Sequence, residues 1–276
     1  MTRIILLFLT FILPLGLSSQ NLKKVLVIGI DGCRSDVLEG INTPNIDNLI
    51  SNGIFSPDAL NDDITVSGPG WSAILCGVWS EKHGVENNNF NGSNYENYPP
   101  FFKYINDFNP DLNTISICNW SPINDFIVED HADEIINVGS DLEVATEAKN
   151  YLTDENPDVL FLHFDEVDHA GHAYGFSMDS PEYVASIEGV DTYVGSVMQA
   201  IEERPSYSTE DWLIIVTTDH GGIGFSHGGN TIEEKNVFMI ASGKSVETNI
   251  ILKDSSIVID DPMTVSYTHL TLPTKA

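Results

Sequence analysis

The 276-residue chain is short of positive charge: 12 Lys and Arg stand against 41 Asp and Glu, for a formal net charge of -29. A surface of that sign repels nucleic acid and anionic lipid, which argues against a nucleic-acid-binding module. A polyanionic substrate would have to be captured at a locally positive site, and bound metal ions are one source of that charge. Cysteine is scarce too. Cys33, Cys76 and Cys118 cannot all pair, and none has metal-ligand spacing, so they read as small buried thiols or as one disulfide plus one free cysteine. There is no internal repeat and no low-complexity tract. With 42% hydrophobic and 19% charged residues, the chain reads as globular, long enough for one large α/β domain with a substantial core.

No apolar run reaches the roughly 20 residues that a comfortable transmembrane helix needs. The run at residues 4–17 follows Arg3 and gives way to Ser18 and Ser19, the layout of a secretory signal peptide. Residues 1–19 are therefore expected to be a leader, and no nearby cysteine offers a lipid anchor. The expectation is a secreted or periplasmic protein without a stable membrane anchor. At the other end, residues 265–276 (VSYTHLTLPTKA) resemble a translated sequencing adapter from a transposon-based library. The catalytic domain is then 20–264, cut short at its C-terminal end, and His269 is excluded from the chemistry.

Residues 25–30 form a nearly continuous apolar run rich in β-branched side chains, the pattern of a strand covered on both faces. Residues 114–118, 159–164, 212–217 and 237–241 are further strands. Thr43-Pro44 opens a helix that stops at Gly53, and residues 142–152 and 183–203 are helical. The alternation predicts a mostly parallel central sheet with helices on both faces, whose ligands collect at the carboxyl ends of the strands. The Asn-, Tyr- and Pro-rich stretch 86–111 reads as a long loop over the site.

Four clusters sit where strands end or helices begin. Asp31 closes the first strand in IGIDG, as a ligand or as a helix cap. In TVSGPGWSAILCG, residues 65–77, Ser67 precedes a helix opened by Pro69, so its hydroxyl faces the positive helix end or serves as a plain N-cap. Thr65 is the rival hydroxyl. In DEVDHAGHAYG, residues 165–175, Asp168 and His172 can reach one cation from a strand-end loop or turn. In TTDHGGIGFSHGG, residues 217–229, Asp219 and His220 can hold one ion and His227 follows on a glycine-rich loop. Mixed oxygen and nitrogen ligation suits zinc. Of the other histidines, His83 reads as a turn residue, His163 as a core residue, His131 as surface, and His169 as an outer partner of Asp168. Arg34 is read as paired with Asp36.

Taken together and in this order, the clusters resemble the alkaline phosphatase superfamily, in particular its type I phosphodiesterase/nucleotide pyrophosphatase branch. That resemblance implies an alkaline phosphatase-like fold and two divalent metal ions, zinc by preference. It places Asp31, Ser67, Asp219 and His220 on one ion and Asp168, His172 and His227 on the other. It makes Ser67 the nucleophile and puts a phosphoryl-contacting asparagine at Asn88, with Asn87 and Asn89 in adjacent registers. The chain departs from the branch in two ways. Ser67 stands where most relatives have threonine, and Gly-Pro-Gly follows it rather than Phe-Pro-Asn. Ser67-x-Pro69 with Leu75-Cys76-Gly77 also echoes the sulfatase signature, which Trp71 breaks by standing in the place of an arginine. The implied activity is metal-dependent hydrolysis of a small phosphorylated substrate through a phosphoseryl intermediate. The alternatives are a phosphomonoesterase or phosphonate hydrolase on the same site, a sulfatase-like hydrolase, and a secreted metal-binding protein without catalysis.

Overall fold

The computed structural model describes residues 22–62 and 64–253; the expected leader at 1–19 and the adapter-like 265–276 lie outside them. Among the described residues eight strands are formed: β1 Leu22–Ile30, β2 Gly53–Leu60, β3 Thr114–Cys118, β4 Glu134–Asn137, β5 Val159–Phe164, β6 Glu210–Thr217, β7 Asn236–Gly243 and β8 Ile250–Ile251. They make one sheet in the order β4-β3-β5-β1-β6-β7-β2-β8. β7 alone runs against the others, pairing antiparallel with β6 and β2. The helices are α1 Ser35–Gly40, α2 Pro44–Ser51, α3 Ser67–Cys76, α4 Ser80–His83, α5 Phe101–Phe108, α6 Asp141–Asp154, α7 Glu166–Tyr174, α8 Pro181–Glu202 and α9 Ile232–Lys235. Among the described residues, no helix is long and apolar enough to cross a membrane.

The central strands are apolar throughout because both faces are covered. In β1, Leu26, Ile28 and Ile30 pack into the larger core with α6 and α8, while Val27 packs on the opposite face with Trp71 and Leu75 of α3. The α/β architecture with a mostly parallel sheet is therefore as expected. Two segments differ from the sequence reading. Gly53 does not merely stop α2 but opens β2, a strand obscured in sequence by Pro57 and by an irregularity between Ser56 and Ala59. The stretch 86–111 is not all loop: it contains α5, which begins directly after Pro100 and buries Phe102.

Strands β5, β1 and β6 are parallel neighbours, with Ile30 level with Phe164 and Gly29 level with Thr217. Their carboxyl ends therefore deliver Asp31, the 165–172 segment and Asp219-His220 to one edge. The opposite edge is built for stability. There Glu210, fully buried, accepts from Arg204 Nε and Nη2 at 2.9–3.1 Å, from Trp212 Nε1 at 2.7 Å and from Ser206 Oγ at 2.7 Å. Removing one partner of a buried ion pair strands the other charge in a low-dielectric interior. Glu210→Ala should therefore lower unfolding free energy in urea by about 3–5 kcal/mol. Divalent-metal uptake at the other edge, measured in the same samples, should be unchanged.

Candidate active site

The turn after β1 is tight because Gly32 adopts φ +64° and because nothing larger fits. A Cβ there would lie 2.6 Å from Asp168 Oδ1. The Gly32 N–H donates to Asp219 Oδ1 at 3.2 Å, which ties the ends of β1 and β6 together. Beyond β5 the chain enters α7 directly, and Asp141 accepts the N–H groups of Asp165 and Glu166 at its start, at 2.8 and 3.1 Å. Asp168 and His172 are thus one helical turn apart, not on a loop or turn, with Oδ2 and Nε2 3.4 Å apart.

The structure brings the expected ligands into two abutting groups. His220 Nε2 lies 3.5 Å from Asp31 Oδ1 and 3.3 Å from Asp219 Oδ2. His227 Nε2 lies 3.5 Å from Asp168 Oδ1 and 3.1 Å from His172 Nε2. The His220 and His227 rings stack with centroids 3.8 Å apart, so the two groups share a wall. Ligand atoms of Asp31, Asp219 and His220 lie within 4.8 Å of one another, as do those of Asp168, His220 and His227, and those of Asp31, His163 and Asp165.

The donor set fits divalent cations. Each of the three histidines turns Nδ1 to a backbone carbonyl: His220 to Gly221 at 2.8 Å, His172 to Phe225 at 2.9 Å and His227 to Thr65 at 2.8 Å. Donating there places the proton on Nδ1 and leaves an Nε2 lone pair facing the cluster. The buried oxygens Asp31 Oδ1, Asp168 Oδ1 and Asp219 Oδ2 accept no hydrogen bond. Lone pairs thus face lone pairs from both residue types, which is unfavourable until a cation stands between them. Burial, reinforced by the charge of Asp219, pushes Asp31 up to about 7. Burial and the charge of Asp31 push Asp168 up to about 6, and burial and Asp168 push Asp219 well above the usual carboxylate range. His227 is lowered to about 3 by burial and by His220, so it stays neutral.

Ser67 is the first residue of α3, whose N-cap is Val66. Its hydroxyl therefore does not cap the helix. It points across to His220 Nε2 at 3.5 Å. Asn88 is held beside it, accepting the Gly68 N–H on Oδ1 at 2.7 Å, so its Nδ2 donors face away from the helix backbone. Thr65, the rival hydroxyl, is fully buried, donates to the Gly229 carbonyl at 2.7 Å and accepts from the Gly228 N–H at 3.0 Å. It pins the loop that carries His227.

Other residues take parts the sequence did not reveal. Trp71 Nε1 donates to Asp31 Oδ2 at 2.7 Å, and His163, buried as expected, reaches the same oxygen at 3.1 Å. A lone indole and a strand histidine carry no sequence signal for this role. His169 pairs with Asp165 at 3.2 Å, not with Asp168. Arg34 does pair with Asp36, and its Nη1 also donates to the Phe176 and Gly222 carbonyls at 3.0 and 3.2 Å, joining the two loops that flank the site. All three cysteines are free and buried.

A mostly parallel α/β sheet with Asp and His residues gathered at its carboxyl edge places the chain in the class of alkaline phosphatase-like folds. Within that class, the family model for type I phosphodiesterase/nucleotide pyrophosphatase matches residues 25–112 and 93–262, and the chain belongs to that family. It is 24% identical over 225 residues to the bis(5'-adenosyl)-triphosphatase ENPP4 of Bos taurus and 25% over 228 residues to that of Homo sapiens. Each match covers 74% of this chain and 48% of the relative, so the chain spans about half the length of these curated relatives. Human ectonucleotide pyrophosphatase/phosphodiesterase 5 shares the fold at a TM-score of 0.67 and 13% identity, over 92% of this chain and 96% of that one. A 2-O GAG sulfatase shares it at 0.64 and 14%, over 82% and 65%.

The raised carboxyls have a consequence for stability. In the unfolded chain they titrate near 4, so between about pH 4 and 7 the metal-free native state holds protons that the unfolded state has released. Their contribution to stability is present at the acid end of that window and is lost as pH rises through the folded values. A cation held by these carboxyls would replace those protons. The melting temperature of chelated protein should fall between pH 5 and pH 8, and added Zn2+ should raise it more at pH 8 than at pH 5. A zinc-induced shift of equal size at both pH values would contradict the assignment of these carboxyls as ligands.

Proposed function

We propose that this protein is an exported hydrolase of phosphoric esters or anhydrides in small nucleotide-like substrates, with Ser67 as nucleophile and two divalent ions as cofactors. The observation that carries this reading is the convergence of three Nε2 lone pairs and three unpartnered carboxylate oxygens beside a helix-start hydroxyl. Asp31, Asp219 and His220 would hold one ion with Ser67, and Asp168, His172 and His227 the other. Ions bound there, zinc by the mixed nitrogen and oxygen donors, would lower the pKa of the Ser67 hydroxyl and offset charge on the transferring phosphoryl group.

The chain's own residues supply the remaining steps. Ser67 Oγ gives its proton to solvent water and bonds to phosphorus as the bond to the leaving oxygen breaks on the far side, and the protonated solvent returns that proton to the leaving oxygen. Asn88 Nδ2, oriented by the Gly68 N–H, donates to a non-bridging oxygen, and the N-terminus of α3 faces the same charge. Water then splits the phosphoseryl ester and returns the proton to Ser67. The similarity to the ENPP4 bis(5'-adenosyl)-triphosphatases supports a dinucleoside polyphosphate or similar anhydride as the substrate class. The Arg3-led apolar run at 4–17 supports export.

Ser67→Ala should lower turnover by roughly three orders of magnitude or more, because it removes covalent catalysis. Fold and most metal uptake should survive, since Asp31, Asp219 and His220 remain. Ser67→Thr should retain measurable activity. Rapid acid quench with labelled substrate, followed by peptide mapping, should place the label on Ser67. Full activity in Ser67→Ala would overturn the nucleophile assignment.

A further inference from the structure

The two oxygens of Asp31 have different surroundings. Oδ2 accepts two hydrogen bonds, from Trp71 Nε1 at 2.7 Å and from His163 Nε2 at 3.1 Å. Oδ1 accepts none and lies 3.5 Å from His220 Nε2. The direction of the His163 bond is fixed from the other side of the ring. The Trp120 N–H donates to His163 Nδ1 at 3.4 Å, so the imidazole proton sits on Nε2 and points at Asp31.

The fold is arranged to let both donors reach. The Trp71 ring lies across β1 at Gly29, where a Cβ would come within 2.3 Å of Cη2 and 2.5 Å of Cζ3. The same ring meets His163 edge-on, with centroids 4.8 Å apart and planes at 83°. Trp71, His163 and Asp31 are all buried, so no water competes for Oδ2. Trp71 also lies one helical turn beyond Ser67 on α3. One rigid element therefore carries the hydroxyl and the group that orients the carboxylate opposite it.

We propose that Trp71 and His163 are positioning residues that occupy Asp31 Oδ2 and so restrict Asp31 to a single coordinating oxygen, Oδ1, at the Asp31–Asp219–His220 cation site. The inference rests on the two-ion reading above and goes beyond it by assigning the affinity and geometry of one ion to an indole and an imidazole that bind no metal. Outer hydrogen bonds of this kind fix the ligand's direction before the ion arrives, and their loss costs about 10–100-fold in metal affinity. With Oδ2 released, the carboxylate can rotate and chelate with both oxygens, which changes the coordination number.

The test uses the full chain in an Asp168→Ala background, where the other site is disabled and one ion remains. Zn2+ affinity is read by competition with a chromophoric chelator, and coordination by the visible absorption of the Co2+-substituted protein. Trp71→Phe, which keeps a ring against Gly29 but removes the N–H, should weaken Zn2+ about 10–100-fold and alter the Co2+ spectrum. His163→Leu should do the same. His163→Gln, whose terminal amide can still donate, should restore affinity to within a few-fold of the background and serves if Trp71→Phe fails to fold. Unchanged affinity and spectrum in both Trp71→Phe and His163→Leu overturn the inference. So does an equal loss at both sites when Trp71→Phe is made in the otherwise unmutated chain, which would mark a general loosening of the fold. A parent chain that takes up no divalent ion overturns the two-ion reading and this inference together.

Discussion

Three carboxylates that share one pocket at the end of a parallel sheet are the constraint on which the rest of this structure depends. Burial alone disfavours their charge, and each raises the pKa of another. The surrounding architecture keeps them in place despite that cost. Gly32 lets Asp168 close on the β1 turn, Asp141 caps the helix that carries Asp168, and the Gly32 N–H binds Asp219. The three histidines are locked with their lone pairs inward by carbonyls of the β6–β7 segment (Gly221 and Phe225) and of Thr65 before α3. Each of these is a local choice that makes sense only if positive charge belongs at the centre.

That constraint also reconciles an acidic chain with the anionic substrate class proposed for it. The net charge of -29 sets a repulsive far field, so capture depends on short-range positive charge at the site itself. Among the residues described around the cluster, Arg34 is committed to Asp36 and to the Phe176 and Gly222 carbonyls. Its work is to hold loops, which leaves the cations proposed for the Asp/His cluster as the electrostatic partner of a phosphoryl group.

Much of this was legible in the sequence, for a physical reason. Strands buried on both faces must be apolar throughout, so β1, β3, β5, β6 and β7 announce themselves, and the acids and histidines at their ends stand out against that background. The structure places Asp31 and Asp219 beside His220, and Asp168 beside His172, His220 and His227. What stayed hidden depends on approach across the fold. β2 carries Pro57 and a bulge, α5 lies within an Asn-rich stretch, and the helical placement of Asp168 and His172 rests on a cap from Asp141 far back in the chain. Trp71 looked like an obstacle to one family signature. Its hydrogen bond to Asp31 exists only because Gly29 clears a path over the neighbouring strand.

The reversed direction of β7 has a kinetic consequence. Because β7 is antiparallel to β6, the segment between them starts and ends at the same edge of the sheet, with no crossover to a distant strand. Asp219, His220 and His227 all lie on that one excursion, which α9 and its Thr231–Glu234 capping box fold back onto the sheet. Closing such a short loop costs little chain entropy and requires few long-range encounters. Three of the seven proposed ligands therefore need only this local closure, whereas Asp31, Ser67, Asp168 and His172 must be brought from strands and helices far along the chain.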